Sequence, residues 1–276
     1  MNMKKEKTVN EHDARIREYI DIINLQLREP TTNIFASLPL LAENINKHDT
    51  EKAMHTLNTV YQKTYDILKT INNMSMTAKL LSQSSFSDEI IDFSSLIKTA
   101  FYSAKAVLPN KCTITIDTEE GLFIKGNASL LSIGLFNLIS NSIDYKSDED
   151  VRISVSLRKE NNRCILTYKD NSIGIKNEII NDIYKPYFSA NPYNDGEITE
   201  GMGLGLFMLD QGVKLSKGTI FLHSEFSKGV NYVISIPQAD IEDRDEVRSQ
   251  PKNFMLNKYS ELFVQLSKHC ILPDLV

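Results

Sequence analysis

Three glycines alternate in Glu200-Gly201-Met202-Gly203-Leu204-Gly205-Leu206, directly ahead of an apolar run with helical spacing. Glycine lets the backbone approach a ligand and tolerates positive φ, and the unpaired N–H groups that open the following helix attract an anion. The pattern predicts a phosphate loop, although a lone copy fits a plain turn equally well. Other groups precede it. Asn137 and Asn141 lie on the apolar stretch Asn137-Leu138-Ile139-Ser140-Asn141, one helical turn apart and so on one face. An asparagine inside an apolar helix is costly without a partner. Asp170-Asn171-Ser172-Ile173-Gly174-Ile175 follows at a strand end, and Ile183-Tyr184-Lys185-Pro186-Tyr187-Phe188 leads into a loop.

This order and spacing resemble the N, G1, F and G2 boxes of the histidine kinase ATP-binding domain, a member of the GHKL ATPase superfamily, over about residues 88–237. The resemblance implies an α/β sandwich of the GHKL (Bergerat) type that binds ATP or ADP with Mg²⁺. It assigns nucleotide contacts to Asn137, Asn141, Tyr145, Asp170, Gly174, Ile175, Phe188, Gly201, Gly203, Leu204 and Gly205. Asn141 becomes the Mg²⁺ ligand, Asn137 an organiser of the phosphate side, and Asp170 the acceptor for the adenine amino group. Without the pattern, Asp170 reads as an ordinary strand-end turn residue.

The chain departs from the family at several points. Ser172 replaces the first glycine of its box, adding a Cβ where unusual dihedrals or close approach are expected. Where the family often has Lys-Tyr or Arg-Tyr, with the cation reaching the phosphates, this chain has Asp144-Tyr145. The loop Ser189 to Glu200 carries Asp195, Glu197 and Glu200 and no base. A like charge at about 8 Å contributes on the order of 0.5–2 kcal/mol of repulsion per unit phosphate charge. These acids therefore predict weak binding in which ADP loses little relative to ATP, unless they face solvent.

Elements must hold these groups in place. Strands are expected near Ile90–Phe93, Thr113–Asp117, Leu122–Lys125, Val151–Leu157 and Cys164–Lys169, with a helix from Ser129 to Tyr145. Helix, loop and helix follow, then strands around Thr219–Leu222 and Asn231–Ile236. Val151-Arg-Ile-Ser-Val-Ser-Leu157 alternates as a half-buried strand does.

Ahead of this domain, Ile16, Ile20, Ile23 and Leu27, then Ile34, Leu38, Leu41 and Ile45 beyond Pro30, recur at steps of three and four. After a polar break at Asn46 to Thr50, a second periodic run passes through Leu57, Tyr61, Leu68 and Ile71 to Leu81. Two such helices bury one face each, so a second copy completing a four-helix bundle is the economical solution. A coiled-coil spacer predicts the same homodimer. The fold class is thus α+β: an antiparallel two-helix hairpin followed by the sandwich. The expected layout is a flexible N-terminus over 1–10, the hairpin over 11–85, the nucleotide domain over 88–237, and a charged linker with a C-terminal amphipathic helix over 238–276. In that tail Met255, Tyr259, Leu262 and Leu266 repeat at helical spacing, suited either to docking on the sandwich or to binding a partner.

Leu25-Gln26-Leu27-Arg28-Glu29-Pro30 aligns with the family's phosphoacceptor box, His-Glu-Leu-Arg-Thr-Pro. The Leu-Arg core and the proline match. Leu25 has no nucleophile, and Gln26 stands where the carboxylate base is placed, so acceptor chemistry is excluded there. His12, followed by Asp13, is an alternative acceptor roughly 20 Å along the helix at 1.5 Å per residue. No Arg-x-Pro pattern follows it.

Over the 276 residues the formal charge is −5, which offers no global electrostatic attraction to nucleic acid or anionic membrane. No run approaches a membrane span, and the N-terminus lacks a signal-like apolar segment, so a cytoplasmic location is expected. Cys112, Cys164 and Cys270 are scattered and read as reduced thiols. The expected function is a histidine-kinase-like signalling protein that keeps dimerisation and adenine nucleotide binding but acts as a pseudokinase or regulator through protein contacts. A response regulator or another signalling protein is the expected partner. Two alternatives remain: an active kinase that phosphorylates a histidine on a partner or His12, and a nucleotide-free docking platform.

Overall fold

The computed structural model describes residues 2–82, 86, 89–147, 150–189, 202–240 and 252–270, with side chains described from residue 20 onward. The residues up to Ser75 form one compact unit, and the sandwich with its tail forms another.

The first unit is a helical hairpin. α1 (Asn2–Asn46) runs unbroken through Pro30 and Pro39, and α2 (Thr50–Leu81) returns alongside it. The backbone of residues 2–10, expected as a flexible N-terminus, lies within α1. The turn is made by His48 at φ 57°, and Asp49 caps α2 by accepting from the Lys52 N–H at 3.2 Å. A 3.1 Å ion pair between Lys63 and Glu29 and a 3.5 Å hydrogen bond from Asn44 to Thr56 tie the helices antiparallel. Ile23, Leu27, Ile34 and Leu41 are half-buried, whereas Ile20, Phe35, Leu38, Leu40, Ile45, Met54 and Ile71 are exposed. One hairpin by itself therefore leaves much of its apolar surface in water.

The second unit is a sandwich of helices on a sheet. β1 (Glu89–Asp92) and β3 (Phe123–Gly126) form a small antiparallel pair. The main sheet comprises β2 (Cys112–Thr118), β4 (Val151–Glu160), β5 (Arg163–Asp170), β6 (Thr219–Ser224) and β7 (Val230–Pro237) in the order β2-β4-β5-β7-β6. Only β2 and β4 run parallel; the other neighbours are antiparallel. Along β5, Cys164, Leu166, Tyr168 and Asp170 are buried at every second position, so the period of two turns the carboxylate of Asp170 inward.

Against the sheet lie α3 (Phe93–Val107), α4 (Ala128–Asp144) and α5 (Gly205–Leu215). Asp92 caps α3 by accepting from Ser95 N–H at 2.8 Å, and Asn127 caps α4 by accepting from Leu130 N–H at 3.0 Å. α3 has no counterpart among the elements expected from sequence, although its cap and its buried Leu96, Ile97, Ala100, Phe101 and Ala104 carry a helical signature. The helix expected ahead of the loop is a series of turns over 177–187, joined by three-residue hydrogen bonds such as Asp182 N–H to Ile179 O at 2.8 Å.

α6 (Glu261–Leu266) packs on α4 and α3. Of the charged linker and amphipathic helix expected over 238–276, the helical part among the described residues is Glu261–Leu266. Phe254 to Ser260 form turns, so Met255 and Tyr259 are exposed while Leu262 and Leu266 are buried. The four do not share one stripe.

Candidate functional site

The expected nucleotide-binding groups converge on the ends of α4, β5 and α5. Asp170, at the end of β5, is 5 % exposed. Its Oδ1 accepts from the N–H groups of Ser172 at 2.9 Å and Val230 at 3.2 Å. Its other oxygen accepts from the Ser142 hydroxyl, which lies 2.6 Å from the Tyr168 hydroxyl. Burial first, and the neighbouring Asp170 charge second, push the Tyr168 phenol well above its ordinary range, so it remains a proton donor. The chain Tyr168 to Ser142 to Asp170 thus holds the Asp170 carboxyl group in one orientation. Ser142 and Tyr168 were not among the expected site residues. Ser142 follows Asn141 directly, and Tyr168 lies two positions before Asp170 on the same strand face, so the strand period could have pointed to it.

The G1 segment folds around this carboxylate. Gly174 has φ +72°, and the Ile175 N–H donates to the Ser224 hydroxyl at 2.8 Å, which in turn donates to Gly229 O at 2.9 Å. Gly229, at φ +86°, passes so close to Asp170 that a Cβ would lie 2.1 Å from its carbonyl oxygen. Ser172 is not among the residues with positive φ, so its side chain meets no left-handed backbone there. It makes a tight turn instead, with Gly174 N–H reaching its hydroxyl at 3.4 Å. The dihedral strain expected from replacing this glycine is absent.

α4 contributes the amide pair. Asn137 is 7 % exposed, and its Nδ2 donates to Ile133 O at 2.8 Å and to Gln265 Oε1 at 3.3 Å. Its Oδ1 lies 2.5 Å from where a Cβ of Gly205 would stand, and a Cβ on Gly203 would lie 2.1 Å from Phe188 O. Glycine at both positions therefore lets the start of α5 close on α4 and on the backbone of Phe188. Asn141 is half-buried one turn along, and Tyr145 ends the helix with its carbonyl accepting from Ile173 N–H at 3.0 Å. Leu204 is buried at the N-cap of α5. Gly201 and the acids Asp195, Glu197 and Glu200 lie outside the described residues.

The donor set suits a magnesium nucleotide. Among the described residues no cluster of three or more His, Cys, Asp or Glu could hold a metal ion by itself. Asn141 could supply one hard amide oxygen to a cation carried by such a nucleotide. The glycine approaches leave backbone where a Cβ would intrude, and Asp170 supplies a fixed acceptor.

Asp144 is not the uncompensated acid that the sequence suggested. Its Oδ1 lies 3.0 Å from Lys268 Nζ and 3.3 Å from His269 Nε2, and its Oδ2 accepts from Ser140 Oγ at 3.1 Å. Burial pushes the carboxyl up, but the adjacent His269 ring and the hydrogen-bonded Lys268 ammonium outweigh it and hold the pKa at about 2. The tail that supplies these partners runs along α4 from Ser129 to Asp144. Lys252 Nζ donates to Ser129 Oγ at 2.9 Å, and the rings of Phe254 and Phe136 meet edge to face at 5.1 Å. Phe254, Leu262, Phe263, Val264 and Leu266 are all no more than 3 % exposed. At roughly 1.5–3 kcal/mol for each large apolar side chain, this burial makes the tail a fixed part of the domain.

In the hairpin, Leu25 is 54 % exposed and Gln26 half-buried. The backbone of His12 lies within α1.

Residues 126–240 match the family described as histidine kinase-, DNA gyrase B-, and HSP90-like ATPase. The chain is 28 % identical over 159 residues to Sporulation kinase B of Bacillus subtilis (strain 168), covering 57 % of this chain and 36 % of that one. It is 25 % identical over 231 residues to Sensor protein kinase WalK of Staphylococcus aureus, covering 83 % and 55 %. The chain therefore spans about half or less of these relatives' length. In fold it is similar to the Acinetobacter baumannii histidine kinase AdeS, with a TM-score of 0.56 at 21 % identity over 78 % of this chain and 98 % of that one. It is also similar to full-length ShkA in complex with AMPPNP, with a TM-score of 0.54 at 15 % identity over 74 % and 41 %. No described helix is long and apolar enough to cross a membrane.

Proposed function

We propose that the chain is a sensor histidine kinase core, a helical region leading into a GHKL-type ATPase domain of two-component systems, and that it is a nucleotide-binding pseudokinase that regulates through protein contacts. The observation that carries this reading is Leu25, an exposed hydrocarbon side chain at the aligned acceptor position. It has no atom that can take a phosphoryl group. Gln26 beside it has no carboxylate to act as base.

ATP or ADP with Mg²⁺ is the proposed ligand. In this reading Asp170 accepts from the adenine amino group, with Ser142 and Tyr168 fixing its orientation. Asn141 supplies an oxygen to Mg²⁺, and Asn137, Gly203 and Gly205 shape the phosphate side. Tyr145, Gly174, Ile175, Phe188, Gly201 and Leu204 complete the proposed contacts. The hairpin, over 11–85, pairs with a second copy through its exposed apolar residues, and a response regulator or another signalling protein is the proposed further partner. We take 88–237 as the nucleotide domain, with the tail from 252 packed into it.

The buried, oriented Asp170 also favours a second reading, in which the site remains competent and phosphorylates a histidine on a partner or His12. Calorimetry with ATP and ADP, with and without Mg²⁺, combined with incubation in labelled ATP, tests both. Nucleotide binding without protein labelling is expected. Acid-labile label on the chain or on an added response-regulator pathway protein would favour the active kinase, and failure to bind nucleotide at millimolar concentration would leave only the docking platform.

A further inference from the structure

The family match ends at residue 240, yet the segment beyond it reaches the residues on which the nucleotide reading rests. Gln265, 2 % exposed, accepts from Asn137 at 3.3 Å, and Lys268 places its ammonium 3.0 Å from Asp144 Oδ1. Asp144 follows Asn141 by three positions on α4, which puts their Cβ atoms about 5–6 Å apart on the helix surface. The Lys268 side chain is 54 % exposed and that of Asp144 27 %, so the pair remains open to solvent. An ammonium carries three donors that rotate freely, which allows it to hold a carboxylate and a second anion together.

We propose that Lys268, delivered by the C-terminal tail and held on Asp144, is the phosphate-side cation of the nucleotide site and binds the terminal phosphate of ATP. This rests on the nucleotide-binding reading above. Asp144 is then the anchor for a cation donated from elsewhere in the chain. The opposite role, a plug that ATP must expel, conflicts with the packing. Phe254, Leu262, Phe263, Val264 and Leu266 are buried against the domain, and Lys252 is bonded to Ser129 at the far end of α4. Expelling the tail would expose all of them, whereas the half-exposed Lys268 side chain stands at the surface of the packed tail.

Calorimetric titration of the full chain with Mg-ATP and Mg-ADP, for wild type, Lys268→Ala, Lys268→Arg and Lys268→Glu, tests the assignment. Loss of one charge-assisted contact to the terminal phosphate is expected to weaken ATP about tenfold in Lys268→Ala and ADP less than about threefold. Lys268→Arg keeps the charge and is expected to stay near wild type, while Lys268→Glu falls below Lys268→Ala. The arginine variant separates loss of charge from loss of tail packing. ATP affinity unchanged in Lys268→Ala overturns the proposal, and tighter ATP binding overturns it in favour of a tail that obstructs the site. If wild type binds neither nucleotide, the nucleotide reading itself fails and this assignment with it.

Discussion

Asp144 and Lys268 are 124 positions apart in sequence and 3.0 Å apart in the fold. An acid that in sequence appears to repel phosphate is, in the structure, the anchor of a cationic tail. The electrostatics of this edge of the site are therefore set by the pair, with His269 beside it, rather than by Asp144 alone.

The pair has a consequence for stability. The carboxyl of Asp144 is lowered from 3.8 to about 2 in the fold. A depressed carboxylate stabilises the fold above its unfolded pKa, and that contribution is lost as pH falls through the folded value. Asp144→Asn is expected to cost on the order of 1 kcal/mol near neutral pH, where the Lys268 ammonium is the charged partner that is lost. The difference from wild type should shrink between about pH 4 and pH 2. Urea unfolding across this range reads it directly, and a difference that stays constant into acid would contradict the assignment.

Asp170→Asn is expected to weaken ATP and ADP alike, about tenfold or more, because the amide opposes the hydrogen bond from an adenine amino group. The amide oxygen can still accept from the Ser172 and Val230 N–H groups, so the fold should persist. Calorimetry paired with a thermal melt separates the two effects. Ser142→Ala, which removes only the orienting hydroxyl, should give a smaller loss in both nucleotides.

Incubation with labelled ATP is expected to give no acid-labile phosphohistidine on the chain, since Leu25 offers no nucleophile. Label that disappears in His12→Ala would make His12 the acceptor. Leu25→His combined with Gln26→Glu should restore autophosphorylation if the site still presents a γ-phosphate to α1, and phosphoamino acid analysis reads the outcome.

Light scattering is expected to give a dimer for the full chain and a monomer for a truncation starting at Asp88. The exposed Ile20, Phe35, Leu38, Leu40 and Ile45 supply the apolar surface that a second hairpin would cover. Leu38→Lys with Ile45→Lys should shift the full chain toward monomer, because buried ammonium groups oppose bundle closure. A dimeric truncation would place the interface elsewhere.

The main strands and the helix α4 were legible because alternation and 3.6-residue periodicity are local properties of the chain. The site boxes were legible because glycines, paired asparagines and a strand-end aspartate must stand at short, regular spacings to act together. α3 carries a similar local signature in its Asp92 cap and apolar stripe. The turns over 177–187 were misread because apolar spacing alone does not distinguish a helix from successive three-residue turns.

Sequence alone determined the order of the boxes, the hydrophobic stripes of the hairpin, and the presence of a leucine where the acceptor histidine is expected. Each depends on residue type and near-neighbour spacing, which folding does not change. Only the tertiary structure decided that Ser172 sits in ordinary backbone, that Ser142 and Tyr168 orient Asp170, and that the tail closes on α4 to neutralise Asp144. These outcomes depend on which faces are left uncovered once the sheet and helices have packed. Contacts across more than a hundred residues leave no periodicity in the chain, because burial and charge pairing are settled by proximity in space.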